Sequence, residues 1–312
     1  LNRMGYSVTV YEKDELPGGL LRFGIPNFKL GKEIVRRRIR LMEEEGIVFK
    51  TGVCIGSDIK SSDILEKYDA VCLAIGSETP RDLPVEGRGL SGVHFALELL
   101  SMQNRLLEGI PVPPEKQINA RGKKVLVIGG GDTGSDCVGT ANRHGAASVT
   151  QIEIMPCPPE GYNPATPWPM YPQVLKTSSS HEEGCTRRWN LATNRFIGSG
   201  GVLTGVETEE VEWTADKDTG RPQMKKTGKK EIIETDLVFL AMGFVHPAHE
   251  GIITELSLGT DTRGNISCNG GQTSIEKVFA CGDAVSGASL VVRAMDSGHR
   301  AARAIDSFIK KE

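Results

Sequence analysis

The chain has 312 residues, enough for about two domains that each bury a hydrophobic core. Its 37 basic and 40 acidic residues give a net charge of −3, which argues against nucleic acid or an anionic membrane as a partner, because both require a basic surface. The apolar runs have the length of strands and are too short to span a bilayer. No signal peptide is visible in the sequence.

Seven cysteines are scattered singly along the chain, and no two form a C-x-x-C pair. This pattern is typical of reduced thiols in a cytoplasmic protein and predicts neither a disulfide framework nor a metal site within the chain. The chain starts at Leu1 within an apparent helix tail, so we expect a fragment that lacks its true N-terminus.

The first part of the chain alternates short apolar stretches with glycine-rich turns. Gly5 ends a helix remnant, and "SVTVYE" follows as a strand that ends at Glu12. The stretch "ELPGGLLRFGIPNFKL" is punctuated by glycine and proline and is predicted as a loop. Residues 32–45 carry apolar side chains at helical spacing, which predicts an amphipathic helix ended by Gly46.

Strands and helices alternate along the rest of the chain. Strands are predicted at "IVFKTGV" and "DAVCLAIG", a helix at "GVHFALELLSMQNRLLEG", and one βαβ unit from Lys123 to Glu153. The later predictions are a stiff proline-rich loop at 156–172, strands at 202–213 and 229–241, a strand at "KVFACGD" and a helix from about Ser289. This alternation predicts an α/β fold with parallel sheets.

A glycine pattern of the G-x-G-x-x-G type lies between the strand "KVLVI" and a helix. Its first glycine permits a tight turn, its second lets a pyrophosphate approach the backbone, and its third lets the helix pack close to the strand. The helix N-terminus adds N–H donors and a positive dipole. The pattern therefore predicts a dinucleotide site made of Gly129, Gly130, Gly131, Asp132, Thr133 and Gly134.

Glu153 ends the second strand of this unit, where an acidic residue binds the adenosine ribose of a nicotinamide dinucleotide. A carboxylate there repels a 2′-phosphate, so Glu153 favours NADH over NADPH. Arg187 and Arg188 could still accept a phosphate, and an ordinary strand-end glutamate is the alternative interpretation.

Glu12 ends "SVTVYE" as Glu153 ends the similar "SVTQIE", so Glu12 is predicted to bind the ribose of a second dinucleotide. Counting back by the same spacing places the matching glycine loop upstream of Leu1. The stretch "KVFACGD" indicates that this dinucleotide is FAD, because Asp283 at the end of an apolar strand can accept a hydrogen bond from a flavin ribityl hydroxyl.

Paired glycine turns end two predicted strands, at Gly76 and Gly243, and are typical of crossover points between two nucleotide domains. Gly76 and Gly282 are predicted to contact FAD, and Gly243 is predicted to contact the nicotinamide dinucleotide. We predict two Rossmann-like domains, with an NAD(P)-binding domain at 116–245 inserted into an FAD-binding domain formed by 1–115 and 246–312.

The motifs "GGL", "GIPNFKL", "GGGDTGSDC", "PWPMYP", "LAMGF" and "FACGD" occur in this order. With them the whole chain resembles the small (beta) subunit of bacterial glutamate synthase, within the wider group of two-dinucleotide-binding flavoproteins. The resemblance implies that NAD(P)H reduces FAD. It also implies that electrons pass through iron–sulfur clusters to a large (alpha) subunit, which makes glutamate from glutamine and 2-oxoglutarate.

The resemblance also implies site residues. It assigns FAD contacts to Glu12, to the loop Gly18, Gly19 and Leu20, and to Asp283, Leu290 and Val291. The cysteine-rich cluster region and first glycine loop of that family are absent, so we expect this chain alone to bind FAD poorly and to hold no cluster. The arginine pair of NADPH-using relatives is replaced by "EIMP", which argues against NADPH.

Hydride transfer between two bound cofactors needs no general base, so no catalytic acid or base is predicted. "GIPNFK" is the candidate lining of the isoalloxazine, with Lys29 as an electrostatic contributor, while His181 could contact a cofactor or belong to a helix N-cap. Two other functions remain open: an electron-transfer subunit that serves ferredoxin or a pyrimidine-reducing partner, and a non-catalytic nucleotide-sensing module.

Overall fold

The computed structural model describes residues 1–170, 173–216 and 221–311. They form two compact units, which we describe separately. Unit 1 consists of Leu1–Arg22, Leu30–Arg81 and Gly243–Glu312, and unit 2 of Phe23–Lys29 and Asp82–Met242. The predicted cofactor domains, with boundaries at 115 and 245, stay a prediction.

The regular elements are numbered in chain order. Short 3₁₀ helices cover Asn2–Met4 and Pro114–Lys116. The α-helices are α1 (Gly19–Phe23), α2 (Lys32–Glu44), α3 (Ser61–Lys67), α4 (Ala96–Leu107), α5 (Asp132–Arg143), α6 (Ser179–Glu182), α7 (Ile252–Glu255), α8 (Asp283–Ser286) and α9 (Val291–Ile309). The strands are β1 (Thr9–Glu12), β2 (Val48–Thr51), β3 (Val71–Leu73), β4 (Val93–Phe95), β5 (Lys124–Ile128), β6 (Ser148–Ile152), β7 (Thr186–Arg188), β8 (Leu191–Ser199), β9 (Val202–Ala215), β10 (Pro222–Glu234), β11 (Leu237–Leu240) and β12 (Val278–Ala280).

Unit 1 contains two pairs of parallel strands. Strand β1 pairs with β2 in a register that joins Glu12 to Thr51, and β3 pairs with β12 in a register that joins Leu73 to Ala280. Apolar side chains of α7 and β12 form its buried core, together with Leu258 and Ile266. Parallel pairing brings the carboxyl ends of β3 and β12 to the same edge, where nucleotides bind in sheets of this kind.

Unit 2 is built on a five-stranded parallel sheet in the order β4-β11-β5-β6-β7. Alternate residues of β5 serve two cores, as the period of a strand requires. Val125 and Val127 join the side chains of α4 and α5 in one core, and Leu126 and Ile128 join the side chains of β8 and β9 in the other. Strands β8, β9 and β10 form a separate antiparallel sheet.

The predicted α/β class with parallel sheets is confirmed, but several element predictions were wrong. Residues Val93–Phe95, predicted as the start of a helix, form β4 because they pair with Val238–Leu240 of β11. The predicted loop after Glu12 contains α1, β8 was missed, and β10 and β11 replace a single predicted strand.

Two further predictions concern the motif "PWPMYP" and the possibility of a membrane-spanning helix. Tyr171 and Pro172 of the motif "PWPMYP" lie outside the described residues, and Trp168 within it is 92% exposed. In the part of the chain that the structure describes, no helix has both the length and the apolar character needed to cross a membrane.

Candidate functional site

The glycine turn of unit 2 joins β5 to α5. Gly129 has a φ of +125°, and a Cβ there would lie 2.3 Å from the carbonyl oxygen of Ala241. A Cβ on Gly134 would lie 2.2 Å from the oxygen of Gly129, so both positions require glycine. Gly131 precedes the first residue of α5, Asp132, and faces open space. The turn therefore fits a phosphate group that approaches the start of a 12-residue helix.

The carboxylate of Glu153 is held against this turn. Ile152 pairs with Ile128, so Glu153 and Gly129 follow directly on neighbouring strands. Oε2 of Glu153 accepts a hydrogen bond from the backbone N–H of Gly130 at 2.6 Å, and its Oε1 accepts from Met155 N at 3.1 Å. An ionised carboxylate can accept about four hydrogen bonds, so it has capacity left for ribose hydroxyls.

Arg187 and Arg188 lie on β7, the strand beside β6. The guanidinium of Arg188 forms a two-pronged ion pair with Glu231, with Nη1–Oε2 at 3.0 Å and Nη2–Oε1 at 2.5 Å. That of Arg187 lies over the ring of Trp189, with 5.1 Å between Cζ and the ring centroid, and donates to Thr177 Oγ1 at 3.4 Å. The structure thus places Arg188 in an ion pair that satisfies its planar donor face.

Lys29 contacts the first turns of α5. Its Nζ lies 2.6 Å from Oδ1 of Asp136 and donates to Ser135 Oγ at 2.9 Å. Both partners are largely buried. Within unit 2, Lys29 is therefore tied to the helix that follows the glycine turn. Its predicted electrostatic contribution to a flavin stays a prediction.

In unit 1, Gly76 and Asp283 follow the paired ends of β3 and β12 by the same number of residues. Gly76 has a φ of +72° and faces open space. Gly282 has a φ of +68°, donates its N–H to Ser297 Oγ at 2.9 Å, and precedes Asp283, the first residue of α8. Oδ1 of Asp283 accepts from Ser289 Oγ at 3.2 Å. A carboxylate at this edge fits a hydrogen bond to a ribityl hydroxyl.

Glu12 ends β1 and is half-buried. Its Oε1 accepts a hydrogen bond from Asp14 N at 3.0 Å. Burial raises the pKa of Glu12 above its ordinary value, although the Asp14 N–H opposes this effect. Hydrogen bonds from hydroxyl groups would stabilise the charged form of a half-buried carboxylate, which fits the predicted ribose contact.

The remaining predicted FAD residues lie in unit 1. Gly18 has a φ of +133° and would place a Cβ 2.9 Å from a methyl group of Val35, while Gly19, with a φ of +50°, faces open space. Three of the predicted contact side chains are apolar and exposed: Leu20 at 39%, Leu290 at 40% and Val291 at 51%. Leu290 and Val291 lie at the start of the 19-residue helix α9, and exposed apolar side chains there fit a planar aromatic group. Gly243, predicted as a nicotinamide-side residue, belongs to unit 1.

Comparison with known proteins identifies the class. The family described as pyridine nucleotide-disulphide oxidoreductase matches residues 3–298, and the chain belongs to this family. The fold agrees with that of FprA from Mycobacterium tuberculosis, whose complex with NADPH has been solved. The TM-score is 0.74 at 17% identity, over 98% of this chain and 78% of that one.

Relatives with higher sequence identity show which members of this family the chain resembles. The chain is 43% identical to the glutamate synthase [NADPH] small chain of Mycobacterium tuberculosis, over 99% of this chain and 63% of that protein. It is 41% identical to the glutamate synthase [NADH] of Saccharomyces cerevisiae, over 99% of this chain and 15% of that protein. The resemblance to the small subunit of glutamate synthase is confirmed, and the chain spans less than two thirds of the length of the small chain it matches.

The sequence analysis missed one residue of the unit 2 site. Gln151 on β6 is 2% exposed and donates from Nε2 to the carbonyl oxygen of Gly129 at 2.8 Å. The available signal was a long amide side chain within a parallel strand, at the position where "SVTVYE" has Val10. His181, weighed between a cofactor contact and a helix cap, is the N3 residue of a capping box at the start of α6.

Proposed function

We propose that this chain is the electron-input part of a cytoplasmic glutamate synthase, an oxidoreductase that takes hydride from NADH. The observation that carries this proposal is the glycine turn of unit 2, where the Gly130 N–H holds the Glu153 carboxylate beside the start of α5. Similarity to glutamate synthase small chains over nearly the whole sequence supports the choice of reaction.

The nicotinamide dinucleotide would be held by unit 2. Its pyrophosphate would lie at the backbone of Gly129 to Thr133, where the N-terminus of α5 supplies N–H donors. Its adenosine ribose would bind the remaining lone pairs of the Glu153 carboxylate. These residues bind and orient, and no side chain of the turn is required to move a proton.

FAD would be held by unit 1. Glu12 would bind the adenosine ribose, Asp283 the ribityl chain, and Gly76 the backbone side of the turn after β3. Leu20, Leu290 and Val291 would cover apolar parts of the isoalloxazine, and the N-terminus of α9 would favour negative charge there. When bound, FAD supplies the chemistry of accepting a hydride and releasing single electrons.

Two observations support NADH over NADPH. The Glu153 carboxylate would repel a 2′-phosphate, and the guanidinium of Arg188 is engaged by Glu231. The relatives' names include both nucleotides, so similarity alone does not decide between them.

We further propose that electrons leave through iron–sulfur clusters held outside these 312 residues and reach a large subunit that forms glutamate. Among residues 1–170, 173–216 and 221–311, no group of three or more His, Cys, Asp or Glu side chains is arranged to hold a metal ion. The small-chain names of the relatives support the large partner.

The test is an anaerobic titration of the protein, expressed with any natural sequence that precedes Leu1. We expect a flavin absorbance spectrum that NADH bleaches. We also expect glutamate formation from glutamine and 2-oxoglutarate when the purified large subunit is added. A flavin-free protein would overturn the oxidoreductase proposal, and bleaching without glutamate formation would overturn the choice of partner.

A further inference from the structure

We propose that His181 and Gln151 are positioning residues for the nicotinamide dinucleotide, because together they hold the carbonyl group of Gly129 and so set the shape of the glycine turn. This inference rests on the proposed function of that turn. Neither side chain is placed against the nucleotide itself, and both act through the backbone.

Gln151 uses both ends of its amide. Nε2 donates to the Gly129 oxygen at 2.8 Å, and Oε1 lies 2.9 Å from His181 Nε2. The side chain is 2% exposed on the face of the sheet that packs against α4 and α5, where its neighbours on β5 and β6 are the apolar Val127 and Val149. A buried amide costs free energy unless both ends are paired, so this arrangement is stable only if His181 donates.

Gly134 provides the space for this contact. A Cβ on Gly134 would lie 2.6 Å from Nε2 of Gln151 and 2.2 Å from the oxygen of Gly129. The absence of a side chain at Gly134 therefore leaves room for the hydrogen bond between Gln151 and Gly129, and it also lets α5 pack close to the strand. The shape of the turn thus depends on a side chain from β6.

The hydrogen bonds of His181 fix which of its nitrogens carries the proton. The backbone N–H of Ser178 donates to Nδ1 at 3.1 Å, so Nδ1 must be an unprotonated acceptor. A neutral ring then carries its proton on Nε2, which donates to Gln151 Oε1. Burial, followed by the charges of Arg187 and Lys29, lowers the pKa of His181 to about 4, so the neutral ring is the form present at neutral pH.

The same chain of hydrogen bonds continues to the "GIPNFK" segment. Ser178 Oγ lies 3.1 Å from His181 Nδ1 and 2.6 Å from Ser135 Oγ. Ser135 in turn accepts from Lys29 Nζ. The segment that precedes α2 is thereby linked, within unit 2, to the carbonyl of Gly129.

A matched pair of substitutions separates this role from helix capping. His181→Gln and His181→Glu both place the ordinary third residue of a capping box at that position, so both preserve the start of α6. Only the glutamine amide offers an acceptor for Ser178 N and a donor for Gln151. The carboxylate of His181→Glu can only accept hydrogen bonds, so it favours a flipped Gln151 amide that presents Nε2 to residue 181. The flip places Oε1 of Gln151 against the oxygen of Gly129.

The measurement is the dissociation constant of NADH for the full chain, with thermal unfolding recorded for each variant. We expect His181→Gln to stay within about threefold of the wild type and His181→Glu to bind about tenfold more weakly. The two variants should unfold within about 3 °C of each other. Equal NADH affinities for both variants would overturn the inference, whereas a wild type that binds no NADH would instead overturn the proposed function.

A double-mutant cycle gives a second test. Gln151→Met removes both hydrogen bonds at similar volume, and we expect it to weaken NADH binding about tenfold. If His181 acts through Gln151, adding His181→Glu to Gln151→Met should weaken binding no further. Additive effects of the two substitutions would show independent roles and would contradict the inference.

Discussion

Glu12 in unit 1 and Glu153 in unit 2 end strands of nearly the same sequence, yet they differ in how they are held. Each accepts a hydrogen bond from the N–H two residues further along, at 3.0 Å from Asp14 and at 3.1 Å from Met155. Glu153 accepts a second bond from Gly130 on the glycine turn after the neighbouring β5, whereas β1 has β2 as its paired neighbour. The second hydrogen bond of Glu153 therefore comes from the turn on the adjacent strand, and this bond fixes the position of its carboxylate.

The largest expected effect comes from breaking the turn itself. Gly129→Ala should destabilise the chain by about 2–4 kcal/mol, because it adds a Cβ against the Ala241 oxygen at a left-handed φ, and NADH binding should be lost. Gly76→Ala in unit 1 is the matched control. Its φ is also positive but its surroundings are open, so about 1 kcal/mol is expected.

Urea unfolding of the two variants measures this difference. If both substitutions lowered the free energy of unfolding by the same amount, the steric explanation for Gly129 would be wrong.

Replacing the two glutamates should have smaller effects of opposite sign. Glu153→Gln should lower the free energy of unfolding by about 1 kcal/mol at neutral pH, because two backbone N–H groups lose a charged acceptor. Glu12→Gln should raise it, because burial disfavours the charged form of that carboxyl.

The sign of the pH dependence follows from the raised pKa of Glu12. The folded chain holds this proton to a higher pH than the unfolded chain, so the stability of the wild type falls as pH rises above about 4.5. The advantage of Glu12→Gln should therefore grow from acid to neutral pH and vanish in acid. Unfolding of the cofactor-free chain at a series of pH values checks this, and a destabilised Glu12→Gln variant at neutral pH would contradict it.

Local signals in the sequence predicted the core of unit 2. The run from Lys124 to Ile152 combines an apolar strand, a glycine turn, a helix and a second strand, so its fold is decided by neighbouring residues. Strand β4 was missed because Val93–Phe95 becomes a strand through pairing with β11, far along the chain. The bond from His181 to Gln151 could not be predicted for the same reason.

In the proposed function, Glu153 at the glycine turn of unit 2 receives the ribose of NADH. The most direct measurement is a titration of the full chain with NADH and with NADPH, repeated for Glu153→Gln. We expect the wild type to bind NADH at least about tenfold more tightly than NADPH, and we expect Glu153→Gln to reduce this ratio. A wild type that binds NADPH more tightly, or a ratio unchanged by Glu153→Gln, would contradict it.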